Sequence, residues 1–100
     1  MSEPDEPVVV EITDSIDLHH FRADEQLDVV DAYLEAAFER GFTEVRVIHG
    51  RGKGVQRARV HAFLAADDRV ERFEEAPPGR GGWGATLVWL TPRRTSHPDG

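Results

Sequence analysis

The chain has no cysteine, which excludes a disulfide framework and any thiolate metal site and fits a reducing interior. No apolar run approaches the roughly 20 residues that a membrane-spanning helix requires. The opening Met1-Ser2-Glu3-Pro4-Asp5-Glu6-Pro7 is acidic and prolyl where a secretory signal is basic and then apolar. A cytoplasmic protein with no membrane partner is the expectation. Positive charge is scarce as well: 12 Lys and Arg stand against 19 Asp and Glu, for a net charge of −7. That balance argues against indiscriminate binding to nucleic acid, which Lys and Arg drive by displacing counterions. At 100 residues and 39% hydrophobic content, the chain has enough for one core and too little for a second domain.

The charges that are present are unevenly placed. Residues 1–17 hold six carboxylates (Glu3, Asp5, Glu6, Glu11, Asp14 and Asp17) and no Lys or Arg, whereas residues 49–61 hold Arg51, Lys53, Arg57 and Arg59 and no carboxylate. A local basic stripe can focus an anion despite an acidic total. The stripe opens on Ile48-His49-Gly50-Arg51-Gly52-Lys53-Gly54, a strand running into a glycine-rich, cationic turn. Gly50, Gly52 and Gly54 let backbone N–H groups approach a ligand, the helix that follows offers unpaired donors, and Arg51 and Lys53 add full charge. Phosphate is the expected guest; the alternative is a flexible connection whose charges only solvate it. The spacing is not the dinucleotide fingerprint, and Gly-Lys is not followed by Ser or Thr, so a phosphodiester backbone is favoured over NAD or ATP.

Residues 1–7 and 91–100 are expected to be tails around a folded unit at 8–90. Within it, residues 8–12 read as an optional edge strand and 16–19 as a strand. Residues 24–40 form a helix, with Leu27, Val30, Leu34, Ala37 and Phe38 on one stripe and Gly41 closing it. Val45 and Val47 alternate in a strand, and residues 54–66 form a helix with Val60, Phe63 and Leu64 inward. Residues 69–75 are a weak strand, 77–82 a loop, and 84–90 a strand apolar enough to be central. The order β-α-β-α-β-β predicts an α/β fold on a mixed, mostly parallel sheet, in which the final pair can carry a strand of opposite sense.

In Asp17-Leu18-His19 the carboxylate and imidazole share one face of the predicted strand, with Ile16 and Leu18 on the other. Asp17 can orient His19 for proton transfer, the two can share a divalent ion, or Asp17 can simply cap the next turn. Ligands gather at the C-terminal ends of parallel strands, which places His19 and His49 on one rim. His49 is a candidate second acid/base or phosphate ligand, unless its ring only tethers the glycine turn. His20 is expected at the surface or in packing, and neither His61 nor His97 is given a role.

Three segments resemble the Smr (small MutS-related) domain family: Ile16-Asp17-Leu18-His19, Val47-Ile48-His49-Gly50-Arg51-Gly52, and Gly81-Gly82-Trp83-Gly84-Ala85-Thr86-Leu87-Val88. Their order and separation agree with the family over residues 8–90. The resemblance implies a two-layer β-α-β-α-β-β sandwich similar to the C-terminal domain of translation initiation factor three. It also implies a nucleic-acid-binding domain, often an endonuclease acting on DNA or RNA, with a ribosome or repair assembly as candidate partner. Asp17, His19, His49, Gly50 and Gly52 fall on the family's functional positions. His20 and Phe21 depart from it, standing where many members have glycine and then an apolar residue.

The chemistry expected is phosphodiester cleavage. His19, oriented by Asp17, moves a proton, and His49 is its partner or a phosphate ligand. Arg51, Lys53 and the N–H groups of Gly50, Gly52 and Gly54 stabilise charge on phosphorus, while Arg57 and Arg59 hold flanking phosphates. RNA supplies its own 2′-hydroxyl nucleophile and needs no cofactor. DNA requires an activated water and hence Mg2+ or Mn2+, with Asp17 the candidate ligand. The alternatives are an adaptor that binds nucleic acid without cutting it and an enzyme for a small phosphorylated compound. A monomer is the default.

Overall fold

The computed structural model describes residues 12–52 and 54–92. Its elements are β1 (Ser15–Asp17), α1 (Gln26–Glu39), β2 (Glu44–Ile48), α2 (Val55–Ala65), β3 (Val70–Glu75) and β4 (Ala85–Leu90), in the expected order. The sheet runs β1-β2-β4-β3; β1 is parallel to β2, and β4 is antiparallel to both β2 and β3. Three strands thus share a direction and β4 alone is reversed, so the sheet is mixed as expected.

Side-chain alternation explains the two layers. Val45 and Val47 of β2 and Val88 and Leu90 of β4 face Val30, Leu34 and Ala37 of α1 and Val60 and Leu64 of α2 in one core. Each such fully buried Val or Leu contributes roughly 1.5–3 kcal/mol. The intervening residues face the other way, where Ala85 and Leu87 are covered by Ala76 and flanked by Ile48 and Trp89. The expectation that β4 is central and buried on both faces therefore holds. Arg72 lies over the Trp89 ring at 3.8 Å on that second face.

α1 closes by the paired carbonyl bonds of a Schellman motif: Phe42 N–H reaches Ala37 O at 3.0 Å, Gly41 N–H reaches Phe38 O at 3.1 Å, and Phe42 packs on the core. Arg69 fastens α1 to the turn before β3. It makes ion pairs to Asp67 at 2.6 Å, Asp31 at 2.7 Å and Glu35 at 3.1 Å. The Arg69 hydrogen bonds hold the Asp67 carboxyl below its ordinary range.

The N-terminal tail, residues 8–11 of the proposed edge strand, and residues 93–100 lie outside the described residues. Ile12 belongs to no strand and packs against the core. Thr91, expected to begin the C-terminal tail, is tied in by its N–H to Arg69 O at 2.9 Å.

Candidate functional site

The first correction concerns Asp17 and His19. β1 ends at Asp17, and Leu18–His20 is a 3-10 turn, so the two do not share a strand face. Asp17 Oδ1 instead caps the turn by accepting His19 N–H at 2.9 Å. The His19 ring is left 3.8 Å from that oxygen, close enough for charge attraction and too far for a hydrogen bond. His20 Nε2 lies 4.0 Å from the other Asp17 oxygen, and both imidazoles are largely exposed. Leu18, which precedes them, is fully buried and anchors the turn. A second anchor is Gln26, buried at the start of α1, whose amide donates to Leu18 O at 3.0 Å and Phe21 O at 3.1 Å and so brackets both histidines.

The two loops expected on one rim do converge. An ideal Cβ on Gly50 would lie 4.0 Å from His19 Cε1. A shallow hollow opens beside this contact, between residues 49–52 and 54–57. Arg51 is exposed there, and no carboxylate among the described residues pairs with it. Gly54 begins α2 with φ of 87°, and its missing Cβ would stand 2.9 Å from the Trp83 ring. The free N–H groups of the first turn of α2 open beside it.

The closing glycine motif is the wall against which this turn is built. Gly84 O accepts N–H bonds from His49 at 3.0 Å and Gly50 at 2.9 Å, so the Gly50 N–H expected in a phosphate cradle is already used. A Cβ on Gly84 would come within 3.1 Å of Arg51 Cγ, so the Arg51 stem runs through a slot that a larger residue at 84 would narrow. Lys53 lies outside the described residues.

His49 requires a larger correction. It is buried, 6% exposed, and both ring nitrogens are engaged: Nδ1 with Gly50 O at 3.1 Å and Nε2 with Thr86 Oγ1 at 2.9 Å. His61 Nε2 meets the same hydroxyl at 2.7 Å. A carbonyl can only accept, so His49 carries its proton on Nδ1, its Nε2 accepts from Thr86 O–H, and Thr86 accepts from His61 Nε2–H. Both His49 nitrogens, the Thr86 hydroxyl and His61 Nε2 are thereby satisfied with both rings neutral. Burial lowers the His49 pKa, with Arg57 acting in the same direction and the Gly50 bond opposing it. Burial, Arg57 and His49 lower that of His61, against Glu75. His49 is therefore the tether of the glycine turn and not a second acid/base at the surface.

Arg57 and Arg59, expected to hold flanking phosphates, also make contacts within the chain. The Arg57 guanidinium lies 4.9 Å from the Trp83 ring centre and 3.4 Å from Glu75. Arg59 donates to Ala23 O at 3.2 Å and Gln56 Oε1 at 3.3 Å, bracing residues 18–25 against the start of α2, and no carboxylate among the described residues pairs with it. Asp17 is the candidate ligand for a divalent ion, and among the described residues no three His, Asp or Glu side chains gather to hold one.

Sequence reasoning missed Gln26, His61 and Thr86. Thr86 was signalled as a hydroxyl inside an apolar central strand, and Gln26 as a polar residue on the apolar stripe of α1.

Comparison with known proteins agrees with this geometry. The family model for the Smr domain matches residues 16–91. Endonuclease MutS2 of Acetivibrio thermocellus is 40% identical over 79 residues, covering 79% of this chain and 10% of that protein. The chain thus spans about a tenth of the length of such relatives. The crystal structure of the Smr domain of Thermus thermophilus MutS2 superposes with a TM-score of 0.76 at 41% identity, covering 80% of this chain and 100% of that one. YdaL, a stand-alone small MutS-related protein from Escherichia coli, gives 0.73 at 29% identity, covering 77% of this chain and 63% of that one. Among the described residues no helix is long and apolar enough to cross a membrane. With the expected element order and the paired glycine motifs in place, and the family model matching residues 16–91, the chain belongs to the Smr domain family.

Proposed function

We propose that the chain binds nucleic acid in the cytoplasm and cleaves a phosphodiester bond at the rim where His19 meets the glycine turn. The observation that carries this reading is the approach of the exposed His19 ring to Gly50, 4.0 Å from its Cβ position, with Arg51, which pairs with no carboxylate among the described residues, next in the chain. The relation to proteins named endonuclease MutS2 supports the same reaction class.

RNA is the substrate this donor set suits. His19 accepts the 2′-hydroxyl proton as that oxygen attacks phosphorus, Arg51 and the N-terminus of α2 stabilise the added charge, and the 5′-oxygen leaves with a proton. His20 replaces His49 as the second proton-transfer group: it is the other exposed imidazole beside Asp17 among the described residues, with ring centres 6.3 Å apart. The products are a 2′,3′-cyclic phosphate and a 5′-hydroxyl, and no cofactor is needed. DNA lacks the internal nucleophile, so nicking it would require Mg2+ or Mn2+ to activate water. A ribosome or a repair assembly would deliver the substrate.

Incubation with labelled single-stranded RNA, duplex DNA and branched DNA, with magnesium or with EDTA, tests the reading. RNA cleavage that survives EDTA and falls about 10²–10⁴-fold in His19→Ala is expected. EDTA-resistant DNA nicking would contradict it. Binding without cleavage is the second reading, favoured by the use of Asp17 as a turn cap and not as a hydrogen-bond partner of the His19 ring. Intact RNA, bound equally by the parent chain and by an Asp17→Ala, His19→Ala variant, would establish that alternative.

A further inference from the structure

Among the described residues two large hydrophobic side chains stand out in solvent, Phe21 at 38% and Val55 at 59% exposure. Single exposed apolar residues are ordinary, but both of these border the same site. Phe21 lies two residues beyond His19, on the turn whose position Gln26 fixes. Val55 opens α2 and lines the hollow beside Arg51. The two segments are braced together by Arg59, which reaches from α2 to Ala23 O at 3.2 Å. Val55 and Arg59 are one turn apart on α2, so the face that carries Val55 is the face turned towards residues 18–25.

We infer that Phe21 and Val55 form an apolar rim that takes unpaired nucleobases, so that the domain selects single-stranded nucleotides over duplex. The inference rests on the phosphodiester reading above and names its substrate class. Duplex nucleic acid turns phosphates outward and keeps its base faces stacked inside, offering nothing to an aromatic ring beside a phosphate site. An unpaired nucleotide offers both groups at once: its phosphate to Arg51 and its base to Phe21 and Val55. The acidic total points the same way. With a net charge of −7, electrostatic attraction alone holds a polyanion weakly, and base contacts must supply part of the affinity.

The test is fluorescence anisotropy of the full chain with a labelled single-stranded oligonucleotide and a blunt duplex of equal length, across a salt series and without divalent ions. The parent chain is expected to bind the single strand more tightly. Phe21→Ala with Val55→Ala should weaken single-strand binding about ten-fold, the range for a base losing its aromatic partner. It should leave the salt slope and the weaker duplex binding within two-fold, and Phe21→Trp should retain the preference. Phe21 is 38% exposed and gives up some packing on truncation, so the thermal midpoint of each variant is measured beside its binding, and Phe21→Trp keeps the ring in place. Equal loss on both ligands, no loss on either, or tighter duplex binding by the parent would overturn the inference while leaving nucleic-acid binding intact. Failure of the parent to bind either ligand would overturn the proposed function as well.

Discussion

Thr86 links two imidazoles that sequence spacing places far apart, and its hydroxyl cannot be replaced without leaving them unpaired. Thr86→Val removes the donor to His49 and the acceptor for His61 at almost constant volume, which should cost about 1–3 kcal/mol in urea unfolding. A loss of only a few tenths would mean that the chain of bonds is not holding the turn. Arg51 and Gly84 make a second residue-scale pair. Gly84 has no left-handed backbone to protect, so Gly84→Ala acts by crowding Arg51 Cγ, now 3.1 Å from the position of the new methyl. If Arg51 meets a phosphate, Arg51→Ala should lower the salt slope of binding by about one. Gly84→Ala should lower it similarly, and the double variant should be no worse than Arg51→Ala alone; additive losses would show that the slot does not position Arg51.

At the scale of elements, the 3-10 turn that carries His19 and His20 is held from beneath by Leu18 and from the side by Gln26. Gln26→Ala removes the donor to Phe21 O and one of the two donors to Leu18 O, and should cost about 1–2 kcal/mol. Amide exchange at Phe21, whose N–H closes the turn on Leu18 O at 3.0 Å, should accelerate with it. Unchanged exchange there would assign Gln26 to α1 alone. The element boundaries explain why Asp17 takes the cap, one of the three roles open to it, and shares no strand face with His19. Two residues apart on a strand means the same face, but the strand stops at Asp17, and a short carboxylate at a strand end finds the N–H two residues on before it finds a ring.

For the whole molecule, pH dependence of stability follows from burying neutral histidines. Both His49 and His61 have folded pKa values below the ordinary 6.5, so on acidification the unfolded chain takes up these protons first. Their contribution is complete above about pH 6.5 and is lost as pH falls from there through each folded value. The slope is at most about 1.4 kcal/mol per pH unit for His49, and less for His61, whose ring water reaches. Urea midpoints between pH 7.5 and 5 should fall, and His61→Phe should show a shallower fall; an identical profile would remove His61 from the linkage. The element order, most of both helix stripes, the central place of β4 and the glycine turn were legible in the sequence because each is written in local periodicity and backbone preference, whereas Tyr33 takes the core place expected of Phe38. The convergence of His19 on Gly50 was expected from topology and is found. Tertiary structure alone decided that His49 lies buried, that Thr86 joins it to His61, that Gly84 seats Arg51, and that Arg57 and Arg59 are engaged within the chain. Those outcomes depend on which side chains meet across the sheet and helix layers, where desolvation and competition for hydrogen-bond partners act between residues that no sequence spacing relates.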